Sequence, residues 1–254
     1  MSRLCLALPL LASVGIAACG GSSPFESAAP KPPEGAPAGK RVDAAKAGSV
    51  AGRIVFEGTP PAASELKMTD SKCPAGEHRR DESIVVRDGG LENAFVYVKD
   101  GLSGYSFDIP SEPVQLDQDG CVYTPRVLGV RVGQPLNVLN SDPAPHNVHA
   151  AAKVNRPVNT AQPIQGMVHT HRFSAREVMV PFTCDIHPWM IAYVGVVDHP
   201  YFAVSGKAGT FALEDLPAGT YTIEAWHEKL GTRSTTVTLG ESESKELTFT
   251  FKAS

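Results

Sequence analysis

The stretch YTPRVLGVRVGQPLNVLN, residues 123–140, alternates apolar and polar side chains in the manner of two β-strands. Gly133 and Gln134 supply the turn between them. The second strand runs directly into SDPAPHNVH, residues 141–149, which brings His146 and His149 after a proline-rich turn. Residues three apart on an extended strand point to opposite faces, so only one of these imidazoles can face a common site. The stretch therefore predicts a strand-rich fold that carries one imidazole into such a site.

A second stretch, CDIHPWM at residues 184–190, brings a thiol, an imidazole and a thioether close together in the sequence. With one upstream histidine, Cys184, His187 and Met190 make a donor set of two imidazoles, one thiolate and one thioether. Electron-transfer proteins hold copper with such a set, as a trigonal plane of two His and one Cys with a weak axial Met. Zinc would more often recruit a second pair of cysteines or a third histidine. The residue types therefore predict a copper site.

These two stretches resemble the cupredoxin family, and within it the amicyanin and plastocyanin branch. There, a strand pair with the pattern YxTP…VxVG…N…PHNV supplies the first histidine, and a Cys-x-x-His-x-x-Met loop supplies the other ligands. The resemblance covers roughly residues 94–198. It implies one type 1 copper site, and the ligands that it implies are His146, Cys184, His187 and Met190.

The same resemblance implies two features around the ligands. Asn147 would tie the two ligand loops together by hydrogen bonds. The ring edge of His187 would reach the surface through an apolar patch, where a redox partner protein docks and exchanges electrons. The residues expected in that patch are Pro143, Pro145, Pro188 and Trp189, with a core position for Trp189 as the alternative.

Several other functions lack their signatures in this sequence. A dinuclear copper centre needs a second cysteine four residues from the first, which Cys184 lacks. Multicopper oxidases and copper nitrite reductases flank the cysteine with a histidine, whereas Thr183 and Asp185 flank it here. The metalloprotease helix motif, the nucleophile elbow and the phosphate-binding loop are all missing from the sequence. The net charge of −4 does not indicate nucleic acid as a partner.

We therefore expect a non-enzymatic electron carrier with no small-molecule substrate. Two alternatives remain open from the sequence. One is a copper delivery or storage protein. The other is a surface binding module in which the copper-protein fold is structural.

The N-terminal residues predict export and anchoring. Arg3 precedes an apolar run, residues 4–16, that is too short to span a bilayer comfortably. The sequence IAAC at residues 16–19 resembles a bacterial lipobox. By that resemblance residues 1–18 are a lipoprotein signal peptide and Cys19 carries the lipid, with a plain signal peptide as the alternative. Residues 19–46, rich in Pro, Gly, Ser and Ala, predict a tether. We expect lipid anchoring on the periplasmic or cell-surface side of a bacterial membrane.

The cysteines predict one disulfide. Cys5 lies in the predicted signal peptide, and Cys19 and Cys184 have their own expected roles. The remaining pair is Cys73 and Cys121, and an exported protein most simply joins two such residues. Two free thiols that compete for copper are the alternative.

The C-terminal stretch FAVSGKAGTFALEDLPAGTYTIEAWH, residues 202–227, resembles the carboxypeptidase regulatory-like, or transthyretin-like, β-sandwich. The first strand of that fold does not precede residue 202, but VAGRIVFEGTP at residues 50–60 fits its pattern. We predict an all-β chain with a cupredoxin-like Greek-key β-sandwich over residues 47–198, including an N-terminal extension, and a small regulatory-like β-sandwich over residues 199–254. Residues 47–100 contribute strands either to the C-terminal sandwich, with the cupredoxin inserted in it, or to the cupredoxin in a linear order.

Five further histidines carry weaker signals, and one of them, His78 beside Arg79 and Arg80, is expected in an exposed loop. His169 and His171 share one face of a strand and could form a second metal site, but a solvated strand face is the simpler interpretation. His199 and His227 flank the start of the C-terminal segment and its Trp226, and we expect them to pack at a domain interface.

Overall fold

The computed structural model describes residues 39–73 and 79–253. These residues belong to one compact unit. The predicted signal peptide, Cys19, residues 19–38 of the predicted tether and His78 lie outside the described residues. Within the described part every regular element is a β-strand, and it contains no helix long and apolar enough to cross a membrane. The predicted all-β class is confirmed.

Eighteen strands follow one another along the described residues. They are β1 (Gly48–Glu57), β2 (Val86–Arg87), β3 (Gly90–Leu91), β4 (Phe95–Asp100), β5 (Val114–Gln118), β6 (Tyr123–Thr124), β7 (Val127–Arg131), β8 (Leu136–Asn140), β9 (His146–Ala150), β10 (Val158–Gln162), β11 (Val168–His171), β12 (Glu177–Thr183), β13 (Ile191–Val197), β14 (Phe202–Val204), β15 (Thr210–Leu216), β16 (Gly219–His227), β17 (Gly231–Leu239) and β18 (Ser244–Lys252).

The central sandwich consists of the strands from β5 to β13. One of its sheets has the order β10-β9-β12-β13-β7, and the other has the order β11-β8-β5-β6. Alternate residues of both sheets point between them, as the burial of Leu136, Val138 and Asn140 along β8 illustrates. The core between the sheets includes Leu116, Val148, Phe173, Phe182 and Val194, all at most 1% exposed.

The flanking sandwich combines strands from both ends of the described chain. Strand β1 pairs antiparallel with β15 and parallel with β18, and β4 pairs antiparallel with β14 and β16. A separate core fills this sandwich, with Ile54, Leu213, Tyr221 and Phe251 among its buried residues. In the order of the chain, the central sandwich therefore lies between two parts of the flanking sandwich.

The two sandwiches pack face to face through a third apolar cluster. The outer face of the sheet with β4 and β14 meets the outer face of the sheet with β7 and β13. A Cβ atom at Gly129 would lie 2.2 Å from the ring of Phe202, and one at Gly195 would lie 2.4 Å from the ring of Phe95. Two positions without side chains thus let these aromatic rings lie directly on the neighbouring sheet.

Two irregular segments are attached to this framework. The last residues of the predicted tether are held on the folded body, since Lys40 forms a β-bridge with Tyr105 and Arg41 forms an ion pair with Asp108 at 2.7 Å. Residues 58–73 and 79–85, here called the crossing segment, leave β1 of the flanking sandwich and reach the central one. There Met68 packs against the central core, and Cys73 is bonded to Cys121.

Candidate metal centre

The donor residues of the predicted copper site lie at one end of the central sandwich. His146 begins β9, and Cys184 directly follows the end of β12. These strands are antiparallel neighbours, with Thr183 opposite His149, so the start of one lies beside the end of the other. His187 and Met190 lie in the turn that leads from β12 to β13, and the N–H of Met190 donates to the His187 carbonyl oxygen at 2.9 Å.

Three donor atoms converge in this place. The Nδ1 atoms of His146 and His187 are 2.9 Å apart, and the Cys184 sulfur lies 3.8 Å from the first and 3.7 Å from the second. Metal–nitrogen bonds of about 2.0 Å and a metal–sulfur bond of about 2.3 Å separate sulfur and nitrogen by about 3.7 Å in a trigonal plane. The sulfur–nitrogen distances therefore fit one metal ion, while the two nitrogens lie closer together than in an ideal plane. The three residues are at most 2% exposed.

Met190 completes the soft character of the donor set. It is fully buried and belongs to the same apolar core as Cys184. A thiolate, two imidazoles and a thioether suit copper in both of its oxidation states. The residues present thus fit the metal that the sequence predicts.

Neighbouring donor groups do not offer an equivalent site. Among the described residues, two further close sets of donors exist, one with Cys73, Cys121 and His187 and one with Cys121, Asp142 and His146. Both include cysteines that are joined in the Cys73–Cys121 disulfide, with a sulfur–sulfur distance of 2.03 Å. Cys184 is the free cysteine of the described chain. A thiolate ligand can therefore come from Cys184 in this state of the protein.

A buried carboxylate stands behind the first imidazole. The Nε2 atom of His146 lies 2.9 Å from Oδ2 of Asp142, which is 3% exposed. The same carboxylate accepts the N–H groups of Gly120 at 2.7 Å and Cys121 at 2.9 Å. Burial lowers the pKa of His146 and Asp142 opposes that effect. When the Nε2–H of His146 donates a hydrogen bond to Asp142, Nδ1 carries no proton and its lone pair faces the metal position.

A second carboxylate stands behind the other imidazole. Nε2 of His187 lies 3.1 Å from Oδ2 of Asp70, in the crossing segment. Oδ1 of Asp70 accepts the N–H of Lys72 at 2.8 Å. The hydrogen bonds from Lys72 and His187 lower the pKa of Asp70. The Cys73 sulfur is also close, at 3.9 Å from the same nitrogen.

This arrangement corrects the expected exposure of His187. The ring edge was predicted to reach the surface, but His187 is 1% exposed, because Asp70 and Cys73 cover its Nε2 atom. Of the four residues expected in the apolar patch, Pro143 and Pro188 are exposed, whereas Pro145 and Trp189 are partly buried. The prediction of an open imidazole edge is therefore wrong, because a segment remote in the sequence lies across it.

Asn147 forms hydrogen bonds between the two ligand loops. Its Oδ1 accepts the N–H of Asp185 at 2.6 Å, and its Nδ2 donates to Asp185 at 3.0 Å and to Asn159 at 2.7 Å. Asp185 also binds Nδ1 of His149 at 2.7 Å. His149 therefore points away from the donor cluster, as the odd spacing on the strand predicts.

The remaining described histidines lie elsewhere. The rings of His169 and His171 stack with 6.4 Å between centroids at the edge strand β11, but they form no part of the metal-donor sets found among the described residues. His199 and His227 are 3% and 1% exposed, and burial lowers the pKa of each to about 4.

Sequence reasoning missed both carboxylates. Asp142 lies four residues before His146, within a stretch that was already singled out, so its position was the available signal. Asp70 lies 117 residues before His187, and no local pattern connects the two.

Comparisons with known proteins complete the description of the site. No family model and no curated protein matches the chain. Among solved structures, it is similar to a purple cupredoxin from Nitrosopumilus maritimus, with 22% identity and a TM-score of 0.29 over 33% of this chain and 98% of that one. A reduced single-site variant of amicyanin has 23% identity and a TM-score of 0.31 over 35% of this chain and 86% of that one.

A copper-containing nitrite reductase from Thermus scotoductus is also similar, with 21% identity and a TM-score of 0.32 over 36% of this chain. The chain spans 24% of the length of that enzyme.

Proposed function

We propose that this protein is an exported, membrane-tethered type 1 copper protein that carries single electrons between redox partners. The observation that carries the proposal is the convergence of Cys184 with His146 and His187. Their three donor atoms face one another within 3.8 Å in a buried place. The proposal names one copper ion, held by these three residues and by Met190.

The surroundings of the donors favour electron transfer. Copper supplies a one-electron couple when it is bound. The protein contributes a rigid donor set, because Asp142 holds His146, Asp70 holds His187, and Asn147 bonds across the two loops. Donors that cannot move much change little when an electron arrives, and the burial of these side chains keeps water from the metal. These are the properties that a carrier of single electrons needs.

Copper delivery is the weaker candidate. A delivery site must release its ion to an acceptor, and such sites tend to be exposed and rich in Met and His. Here the donors are at most 2% exposed, and the whole chain contains five Met. For a binding function of the flanking sandwich, the described residues show no comparable set of metal donors.

The proposed location rests on the N-terminal sequence. The lipobox-like residues 16–19 support lipidation at Cys19. The following Pro-rich residues would hold the folded body away from the membrane, up to the point where Lys40 and Arg41 are fixed on it. A redox protein of the same compartment is the proposed partner.

A visible absorption spectrum of the purified, copper-loaded protein tests the proposal. Copper(II) bound to the Cys184 thiolate should give an intense charge-transfer band that disappears on reduction and returns on oxidation. Cys184→Ser should abolish the band and leave the far-ultraviolet circular dichroism of the sheets unchanged. As a matched control, Thr183→Ser, at the last residue of β12 and directly before the ligand, should retain the band. A coloured Cys184→Ser protein would contradict the assignment.

A further inference from the structure

The two imidazoles of the proposed copper site are supported by different parts of the chain. Asp142, which supports His146, belongs to the same turn as that ligand. Asp70, which supports His187, belongs to the crossing segment and comes from outside the central sandwich. This second support is the feature that the ligand motif does not contain.

We infer that Asp70 is a positioning residue of the metal centre, which holds the His187 ring in one tautomer and strengthens its Nδ1 as a donor to copper(II). The inference rests on the proposed function. With the Nε2 proton directed to Asp70 at 3.1 Å, Nδ1 is left with its lone pair facing the Cys184 sulfur at 3.7 Å. A carboxylate behind a metal-binding imidazole fixes its orientation and raises its basicity.

The crossing segment is built to keep Asp70 in this place. Oδ1 of Asp70 is used by the Lys72 N–H at 2.8 Å, which leaves Oδ2 for His187. Cys73, which directly follows Lys72, is bonded to Cys121. Two residues before Asp70, Met68 packs against the central core. These contacts on both sides hold Asp70 in place before any metal binds. The hydrogen bond to His187 therefore costs little further conformational entropy.

Asp70 would change the balance between the two oxidation states. The negative charge of Asp70 makes the His187 imidazole a stronger electron donor. A stronger donor favours the more highly charged ion, so Asp70 should stabilise copper(II) relative to copper(I). Substituting such partners of metal ligands typically changes metal affinity by about 10- to 100-fold. A tenfold change in the copper(II)-to-copper(I) affinity ratio corresponds to about 59 mV in the reduction potential.

A purely structural role for Asp70 is the competing explanation, because the carboxylate also closes the Lys72 turn. Asp70→Asn separates the two roles. Asn can still accept the Lys72 N–H with its Oδ1, but it turns an NH₂ group toward the Nε2 proton of His187. Asp81→Asn is the matched control, since Asp81 lies in the same segment and closes a similar turn with Ser83 at 2.8 Å.

The experiment measures two properties of the full-length protein. Nitrogen-15 NMR of the copper-free protein reports which ring nitrogen of His187 carries the proton, and voltammetry of the copper-loaded protein reports the potential. We expect Asp70→Asn to lose the single Nε2–H tautomer and to raise the potential by roughly 59 mV or more, the equivalent of a tenfold change. Asp81→Asn should change neither, and Asp70→Glu should restore the tautomer at least in part.

Equal potentials and unchanged His187 signals in Asp70→Asn and Asp81→Asn would overturn the inference. If Asp70→Asn does not fold, Asp70→Ser decides, because its Oγ can still accept the Lys72 N–H but cannot reach His187. Loss of the single Nε2–H tautomer with a folded sheet spectrum supports the inference, and a wild-type tautomer with a wild-type potential contradicts it. A wild-type protein without the charge-transfer band would refute the proposed function instead. The tautomer of His187 in the copper-free protein would then still test the role of Asp70.

Discussion

The indole of Trp189 lies beside the imidazole of His187, with 5.1 Å between the ring centroids and 45° between the ring planes. Its Nε1–H donates to the Cys121 carbonyl oxygen at 2.9 Å, which fixes the ring. Trp189 also lines a cleft of about 260 Å³ together with Arg80 and Ile191. Because the edge of His187 is covered, Trp189 is an aromatic contact that connects this imidazole to an open surface.

The first prediction concerns this contact. Trp189→Leu should slow electron exchange between the protein and hexacyanoferrate by about tenfold or more, because the aromatic contact with His187 is lost. The charge-transfer band should stay in place, since Trp189 is not a donor. Stopped-flow absorbance measures the exchange rate. Trp189→Phe, which keeps an aromatic ring, is the control and should slow the exchange less. Equal rates in wild type and both variants would show that electrons leave the site elsewhere.

A second prediction concerns the axial donor. Met190→Leu should retain the colour and raise the reduction potential, because the thioether favours copper(II). The side chain is fully buried, and an exchange of Met for Leu at similar volume costs less than about 1.5 kcal/mol of unfolding free energy. Voltammetry and urea unfolding measure the two effects. A lowered potential with an intact band would argue against Met190 as a donor.

The third prediction concerns anchoring. Cys19→Ala should release the protein from membranes or block its processing, because one lipidated residue carries the proposed attachment. Fractionation of cells followed by immunoblotting measures the distribution. Cys5→Ala, in the segment that is expected to be removed, is the matched control and should leave the protein on the membrane. Processed Cys19→Ala protein that still sediments with membranes would refute lipidation at this residue.

The fourth prediction concerns the pH dependence of stability. Burial lowers the pKa of His199 to about 4, while the unfolded chain has a value of about 6.5. The neutral ring donates from Nε2 to the Val98 carbonyl at 2.8 Å and accepts the Tyr201 N–H at 3.2 Å. The unfolded state thus binds this proton first, so the contribution of His199 is complete above about pH 6.5 and is lost as the pH falls to about 4.

The difference between the two pKa values of His199 corresponds to at most about 3 kcal/mol of unfolding free energy. Urea unfolding of the copper-free protein at pH 7 and pH 4.5 measures the loss. His227, whose pKa burial also lowers to about 4, titrates over the same interval. His199→Gln should therefore be less stable at pH 7 and lose less stability on acidification than wild type. An identical pH dependence in both proteins would contradict the assigned role.

The parts of the site that could be predicted are those encoded locally. Cys184, His187 and Met190 lie in one turn, and His146 follows the alternating stretch of residues 123–140 after a proline-rich turn. Asp70 could not be found in this way, because its approach to His187 depends on how the crossing segment folds over the central sandwich. The covered edge of His187 was missed for the same reason.

The fold shows the same division. Alternating segments such as residues 50–56 and 221–226 were expected as strands and lie in β1 and β16. The partners of β1 were left open, since alternation indicates a buried face but does not say which strand lies beside it. The short strands β10 and β14 were not expected, because their sequences alternate too briefly to stand out from loops.

The pairing of β4 with β14 has a consequence for engineering of the chain. Tyr97 lies opposite Phe202, so the backbone leaves the flanking sandwich and re-enters it on adjacent strands. Adjacent strands are about 4.8 Å apart, a gap that a hairpin turn of a few residues closes. The whole central sandwich thus occupies the place of one surface loop, and such a position tolerates the gain or loss of an entire domain. A designed exchange of the central sandwich would join the host chain at this one pair of strands, and it would also have to replace the Cys73–Cys121 bond to the crossing segment.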